Sequence, residues 1–299
     1  VGRFLLKNQI LSLSPHNFSN YSLIDSGEKM KLERFGDMIT IRPEPQAVWG
    51  SHESLNQWER MAHVQFVPTS SHAGKWKKFR PVADHWRMEF TGSVCFSLKL
   101  ALTGFKHVGV FPEQAVNWEY IVKAINNLKK KNIEPKFLNL FAYTGGASLA
   151  AKAAGAEVTH VDSMKQVVTW ANENMQISHL SNIRWVVEDA LKFVKREVKR
   201  GKKYHGIILD PPAFGHGPSG EKWKLEDNIL EMMNNVQRLL DEQHYFFILN
   251  AYSLGFSAMI LENLVWDIFK QKNFEIGELF LPDAYGKKLP LGAFARFHF

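Results

Sequence analysis

The chain has 299 residues, 45% of them hydrophobic and 22% charged, and a formal net charge of +7. No stretch is long and apolar enough to span a bilayer, and the first residues lack the basic start, apolar run and small-residue cleavage site of a secretory signal. The single cysteine, Cys95, excludes an intrachain disulfide and leaves no Cys pair for structural zinc, so a reducing, cytoplasmic setting without a metal site is expected.

Residues 1–105 read as a smaller β-rich N-terminal domain. Met38-Ile39-Thr40-Ile41-Arg42, Val64-Gln65-Phe66-Val67 and Met88-Glu89-Phe90-Thr91 have strand character, and Pro43, Pro45, Pro68 and Pro81 interrupt them. One helix fits near Ser54–His63. Lys75-Trp76-Lys77-Lys78-Phe79-Arg80 mixes cations with aromatics, which suits either an RNA-binding face or an ordinary hairpin. Cys95, within Val94-Cys95-Phe96, reads as a core residue.

Residues 106–299 alternate helix and strand. A helix is predicted over Glu113–Lys131, then strands at Phe137–Phe141, Glu157–Val161, Ile183–Val187, His205–Leu209, Tyr245–Asn250, Phe274–Leu281 and Leu291–Phe299. The helices Lys165–Ser178, Ala190–Lys199, Leu225–Leu240 and Phe256–Gln271 fall between them. Near-continuous apolar strands separated by helices imply an α/β, Rossmann-like doubly wound sheet. It has seven strands, the last antiparallel, because no helix separates the final two.

In such a sheet the ligand lies beyond the carboxyl ends of the strands. That rule selects Phe141–Ser148, Asp162-Ser163, Glu188-Asp189, Asp210–Gly217 and Asn250–Ser253, with Phe111–Gln114 returning to the same rim. The first turn, Ala142-Tyr143-Thr144-Gly145-Gly146, lacks the glycine spacing a pyrophosphate needs, which argues against a dinucleotide. Asp162 stands where an acidic residue accepts from ribose hydroxyls, although Asp-Ser also suits a helix N-cap. Asp189 divides in the same way between adenine binding and capping. Asp210 closes the apolar run Ile207-Ile208-Leu209, and Pro211 and Pro212 stiffen the turn behind it. Phe214 offers a ring on which a base can stack. The Gly215–Gly220 stretch reads as a mobile lid.

Asp210-Pro211-Pro212-Ala213-Phe214 and Leu138-Asn139-Leu140-Phe141-Ala142-Tyr143-Thr144-Gly145-Gly146 resemble the bacterial 23S rRNA methyltransferase superfamily. So do Val161-Asp162-Ser163, Glu188-Asp189-Ala190 and Gly109–Gln114. Asp25-Ser26-Gly27, Lys31–Gly36 and Arg42–Gln46 resemble an uncharacterised branch of it, without a PUA domain. The resemblance implies S-adenosyl-L-methionine (SAM) as cofactor and RNA, ribosomal RNA in particular, as partner. It implies that Asp210, Pro211, Pro212 and Phe214 serve catalysis. The cofactor would be held by Phe111, Gln114, Asn139, Phe141, Tyr143, Thr144, Gly145, Asp162, Ser163, Asp189, Ala190 and Asp210.

One departure bears on the chemistry. Methylation at cytosine C5 needs a cysteine thiolate, and in the resembling C5 enzymes it follows strand five; here that place reads Asn250-Ala251-Tyr252-Ser253. A nitrogen or oxygen acceptor is therefore expected. The basic runs Lys129–Lys131 and Lys195–Lys203 precede strands and read as solvated helix ends; Lys222, Lys224, Lys287 and Lys288 are better placed for substrate. A small molecule or protein as substrate, a non-catalytic SAM-binding module and, more remotely, an NAD oxidoreductase remain as alternatives.

Overall fold

The computed structural model describes residues 9–16, 18–70, 73–252, 255–271 and 273–298. The start of the chain weighed as a signal, Ser253 of the loop after strand five, and Phe299 of the last strand lie outside them. The chain divides into two compact units: residues 14–115 with 280–290, and residues 1–13 with 116–279 and 291–299.

The first strand, β1 (Ile10–Leu13), belongs to the larger unit. The smaller unit carries β2 (Tyr21–Gly27), β3 (Met30–Phe35), β4 (Met38–Pro43), α1 (Leu55–Met61), β5 (Val64–Pro68), β6 (Gly74–Lys78), β7 (His85–Thr91) and β8 (Cys95–Ala101). Strands β2 to β6 form one sheet in chain order, and β7 and β8 form a separate ribbon. Ser54 caps α1 through a capping box with Gln57, and Trp58 on that helix is fully buried against Leu32, Ile41 and Ala62. The three sequence motifs of this unit each supply buried charge. Asp25 accepts from the amides of Ser26, His52 and Glu53 and from the Trp58 indole. Arg42 pairs with Glu33 at 2.7 Å, and Lys31 bridges Glu33 and Glu44. Burial opposes ionisation of Glu33, but the charges of Arg42 and Lys31 hold its carboxyl below the usual range.

Cys95 is exposed, not in the core. Burial along β8 alternates, with Phe96, Leu98 and Leu100 inward, so the pleat sends Cys95 outward. The lysines of β6 sit beside carboxylates, Lys77 with Glu59 and Lys78 with Asp84.

A 3-10 turn at Pro112–Gln114 closes the first segment of the smaller unit, and α2 (Ala115–Lys130) leads into the larger one. There follow β9 (Lys136–Leu140), α3 (Gly146–Ala153), β10 (Glu157–Asp162), α4 (Lys165–Ile177), β11 (Ile183–Val187), α5 (Ala190–Lys199) and β12 (Gly206–Leu209). A short hairpin of β13 (Phe214–His216) and β14 (Lys222–Lys224) comes next, then α6 (Leu225–Leu239), β15 (Phe246–Ala251), α7 (Ala258–Phe269), β16 (Glu275–Pro282) and β17 (Lys288–His298). The sheet order is β1-β16-β17-β15-β12-β9-β10-β11. The strands β12, β9, β10 and β11 pair in parallel, and β17 runs antiparallel to β15. The seven expected strands are all present, and β1 adds an eighth, parallel to β16. Its backbone covers what would otherwise be an open edge. The stretch read as a lid forms the tip of the β13–β14 hairpin, with Gly215 opposite Trp223.

Both faces of this sheet are covered, which is why its central strands are mostly apolar: β12 and β15 are buried at every position. Gly206 starts β12 in register with Phe246, whose ring occupies the space a side chain would need. Gly206→Ala therefore overpacks the sheet and is expected to lower the unfolding free energy by about 1–3 kcal/mol. Chemical denaturation reads this directly, and an unchanged midpoint would contradict it.

Candidate active site

Register places the central residues in one row. Leu140 pairs with Val161 on one side and with Leu209 on the other. The next residues, Phe141, Asp162 and Asp210, therefore stand side by side at the carboxyl rim. With strands about 4.8 Å apart, the two aspartates flank the end of β9 at a backbone separation of about 10 Å.

Asp162 does not cap α4. That N-cap is Met164, which makes no side-chain cap bond. Instead Asp162 Oδ2 accepts from the Tyr143 amide at 2.9 Å and Oδ1 from the Met164 amide at 3.0 Å. Burial raises its pKa, and the amides of Met164 and Tyr143 offset part of that rise. Each oxygen retains a lone pair for a further donor.

The turn that Asp162 grips is strained. Phe141 (φ 55°), Tyr143 (φ 48°) and Gly145 (φ 92°) all lie in the left-handed region. For the two aromatic residues this costs of order 1–3 kcal/mol each. Neighbours hold them there. The Phe141 ring packs on Trp223 with centroids 4.8 Å apart, and Asn174 on α4 donates to the Thr144 carbonyl at 2.9 Å. A Cβ on Gly146 would come 2.5 Å from the Trp118 ring, so only glycine lets α3 start this close to α2. Asn139 lies one step below the rim. Its amide donates to Ser148 Oγ at 2.9 Å, and that hydroxyl is hydrogen-bonded to His160 Nδ1, 3.0 Å away. Burial lowers the His160 pKa to about 3, so the imidazole is neutral. This chain braces the start of α3 from beneath.

Asp210 differs from Asp162 in having no hydrogen bond or ion pair among the described residues. Burial alone raises its pKa to about 7. Behind it Pro211 is buried, and the Pro212 carbonyl accepts from the Trp223 indole at 2.7 Å. The Ala213 carbonyl accepts from the Leu225 amide at 2.9 Å. Phe214 is 67% exposed on β13. Trp223, unnamed in the sequence reading, therefore holds both the Asp-Pro-Pro loop and the first turn. The alternation Lys222-Trp223-Lys224 was its one sequence signal, a period-two pattern with the apolar residue inward.

Asp189 is the N-cap of α5, accepting from the Lys192 amide at 2.8 Å, and Ala190 opens that helix, buried. Ser163 is half-buried beside Asp162. Phe111 and Gln114 belong to the smaller unit, at the 3-10 turn, where Phe111 packs against His107. The rim group comprises Phe141, Tyr143, Thr144, Gly145, Asp162, Ser163, Asp189, Ala190 and Asp210.

The family described as Conserved hypothetical protein 95 matches residues 119–242. The ribosomal RNA large subunit methyltransferase K/L of Shewanella frigidimarina is 34% identical over 146 residues, which is 48% of this chain and 19% of that protein. The K/L protein of Pseudoalteromonas atlantica is 25% identical over 246 residues, 76% of this chain and 34% of that one. The chain thus spans between a fifth and a third of the length of these curated relatives. The crystal structure of the SAM-dependent methyltransferase from Agrobacterium tumefaciens matches with a TM-score of 0.89 at 36% identity, over 96% of this chain and 93% of that one. The chain belongs to the SAM-dependent methyltransferases. A Streptococcus mutans structure, 15% identical with a TM-score of 0.70 over 94% of this chain and 76% of that one, shows the same fold.

For a SAM-dependent methyltransferase, two half-buried carboxylates on either side of the β9 end make physical sense: each is stabilised by a cationic ligand and costly without one. The cost of Asp210 is measurable. Its folded pKa lies above the unfolded value, so stability is fully present below about pH 4 and is lost as pH rises through about 7. Asp210→Asn removes that loss. The variant is expected to gain on the wild type between about pH 4.5 and 8, by about 1–3 kcal/mol after discounting for solvent screening. Paired denaturation curves at the two pH values test this, and a pH-independent offset would refute it.

Proposed function

We propose that this chain transfers the methyl group of SAM to a nitrogen or oxygen of RNA, ribosomal RNA in the first instance. The observation that carries the reading is the rim row: Asp162 bound to the Tyr143 amide on one side of the β9 end, and partnerless Asp210 backed by Pro211 and Pro212 on the other. The cofactor supplies an electrophilic methyl on a sulfonium sulfur. The residues fit such a group. The left-handed turn at Gly145 and the start of α3 offer backbone donors for its carboxylate. Asp162 keeps acceptor capacity for ribose hydroxyls, and Asp189 and Ala190 stand at the end of β11, where an adenine would lie.

On the acceptor side, the Asp210 carboxylate accepts a hydrogen bond from the acceptor N–H or O–H and takes its proton as the methyl–acceptor bond forms and the methyl–sulfur bond breaks. A base with a pKa near the working pH suits that role. The two prolines keep the Asp210 turn from adjusting, so the nucleophile is held in line. The exposed Phe214 ring presents a face for the base. The names of the K/L relatives support ribosomal RNA as the substrate, and the absence of a cysteine after β15 keeps the chemistry on nitrogen or oxygen. A cytoplasmic location accompanies an RNA substrate.

Labelled SAM and deproteinised rRNA, followed by mass-spectrometric mapping, test this reading; no label in any RNA would refute it. The profile of kcat/KM against pH should rise through an apparent pKa near 7, and Asp210→Asn should both abolish that limb and cut kcat at least about 100-fold. Asp162→Ala should weaken SAM binding in calorimetry by about 10–100-fold with a smaller effect on kcat at saturating SAM. NAD binding without SAM binding in the same calorimeter would refute the cofactor.

A further inference from the structure

The basic run at the end of α5 divides in two in the folded chain. Its last members turn to local partners: Arg200 pairs with Glu197, and Lys203 reaches the Leu240 carbonyl. Lys192, Lys195, Arg196 and Lys199 are spaced i, i+3, i+4 and i+7, which puts them on one face of the helix, while Ala190, Phe193 and Val194 bury the opposite face. That cationic face forms one wall of a groove of about 530 Å³. The β13–β14 hairpin, through Glu221, Lys222 and Trp223, lines the groove as well.

We propose that this groove is a track for the RNA backbone leading away from the acceptor nucleotide. The proposal rests on the reading that the acceptor lies in RNA. Its location is the first argument. The groove begins at Glu188 and Asp189, and the Glu188 amide donates to the Asp162 carbonyl at 3.1 Å. Its lining residue Trp223 is bonded to Pro212 of the Asp-Pro-Pro loop. A strand whose base is presented to Asp210 therefore has this groove next to it.

Charge is the second argument. Five cations line the groove against three carboxylates, Glu188, Asp189 and Glu221. Three of the cations are fixed by ion pairs: Lys192 with Glu221, Arg196 with Glu188, and Lys195 with Glu231 outside the groove. Lys199 and Lys222 have no ion pair or hydrogen bond among the described residues. Successive turns of α5 present cations about 5.4 Å apart, a ladder suited to a chain of phosphates and not to a single anion.

Fluorescence anisotropy with a labelled single-stranded RNA of about 20 nucleotides, titrated between about 50 and 200 mM KCl, tests the track. The combined variant Lys195→Ala, Lys199→Ala, Lys222→Ala is expected to bind at least about tenfold more weakly at the low-salt end, with the slope of log affinity against log salt reduced by about 2, near 0.7 per lost phosphate contact. A control that removes the same charge elsewhere, Lys130→Ala, Lys131→Ala, Lys202→Ala, should stay within about twofold of the wild type and keep its slope. SAM calorimetry on both variants confirms that the site is folded. An unchanged slope in the groove variant, or an equal loss in the control, overturns the track and leaves the proposed function standing. Wild-type protein that binds polyglutamate as tightly as RNA also overturns the track, in favour of an acidic protein partner. Wild-type protein that binds no RNA even at the lowest salt overturns the proposed function itself.

Discussion

The Asp162 carboxylate accepts from the Tyr143 and Met164 amides at once, and the geometry of the whole rim depends on that double bond. A carboxylate at the end of a buried strand is expensive unless its lone pairs are met, and backbone amides meet them without adding charge. Holding Tyr143 by its amide fixes the turn after β9 in a left-handed conformation that an aromatic residue does not adopt unaided. The same turn sets where α3 begins and therefore where the first backbone donors of that helix point. One interaction between two neighbouring strands thus places donors and acceptors for a ligand that carries both.

Asp210 is governed by the opposite arrangement. No ion pair or hydrogen bond among the described residues reaches its carboxylate, and the loop behind it is held by bonds to the Pro212 and Ala213 carbonyls. The backbone is stiff while the functional group stays uncommitted. A group so placed stores unfavourable desolvation in the ligand-free state and releases it when a proton donor or cation arrives, which is how a weak acid acquires a pKa near neutrality. A braced carboxylate at Asp162 and an unbraced one at Asp210 thus stand within a single row of residues.

Much of this was legible in the sequence because a sheet buried on both faces writes itself as short apolar runs, and each run ends where its strand does. Asp162 and Asp210 could be placed at strand ends for that reason alone. What escaped depends on contacts between distant segments. Ile10–Leu13 joins the sheet edge by pairing with β16, more than 250 residues away, and four residues carry too little pattern to announce it. The positive φ values at Phe141 and Tyr143 have no glycine or asparagine to mark them. Cys95 was missed through phase: Phe96, Leu98 and Leu100 point inward, so the alternation turns Cys95 outward. The glycines of residues 215–220 hid a hairpin, because three-residue strands carry too little pattern to be read and Trp223 packs from only one of them.

Net charge shows the same limit from another direction. The excess of +7 says nothing about where it resides. In the smaller unit Lys31, Arg42, Lys77 and Lys78 each stand beside a carboxylate, so the field of these four is largely cancelled locally. On α5 the apolar face must bury against the sheet and α6, so every cation of that helix is forced onto the remaining surface. Amphipathic packing, with no selection on charge as such, therefore gathers the lysines into a stripe; what makes the stripe more than a solvated helix face is that the β13–β14 hairpin, tied through Trp223 to the Asp-Pro-Pro loop, lines the same groove. A concave surface strengthens the field of the same charges relative to a convex one, so the residue that steadies the Asp-Pro-Pro loop also shapes the surface on which the proposed track depends.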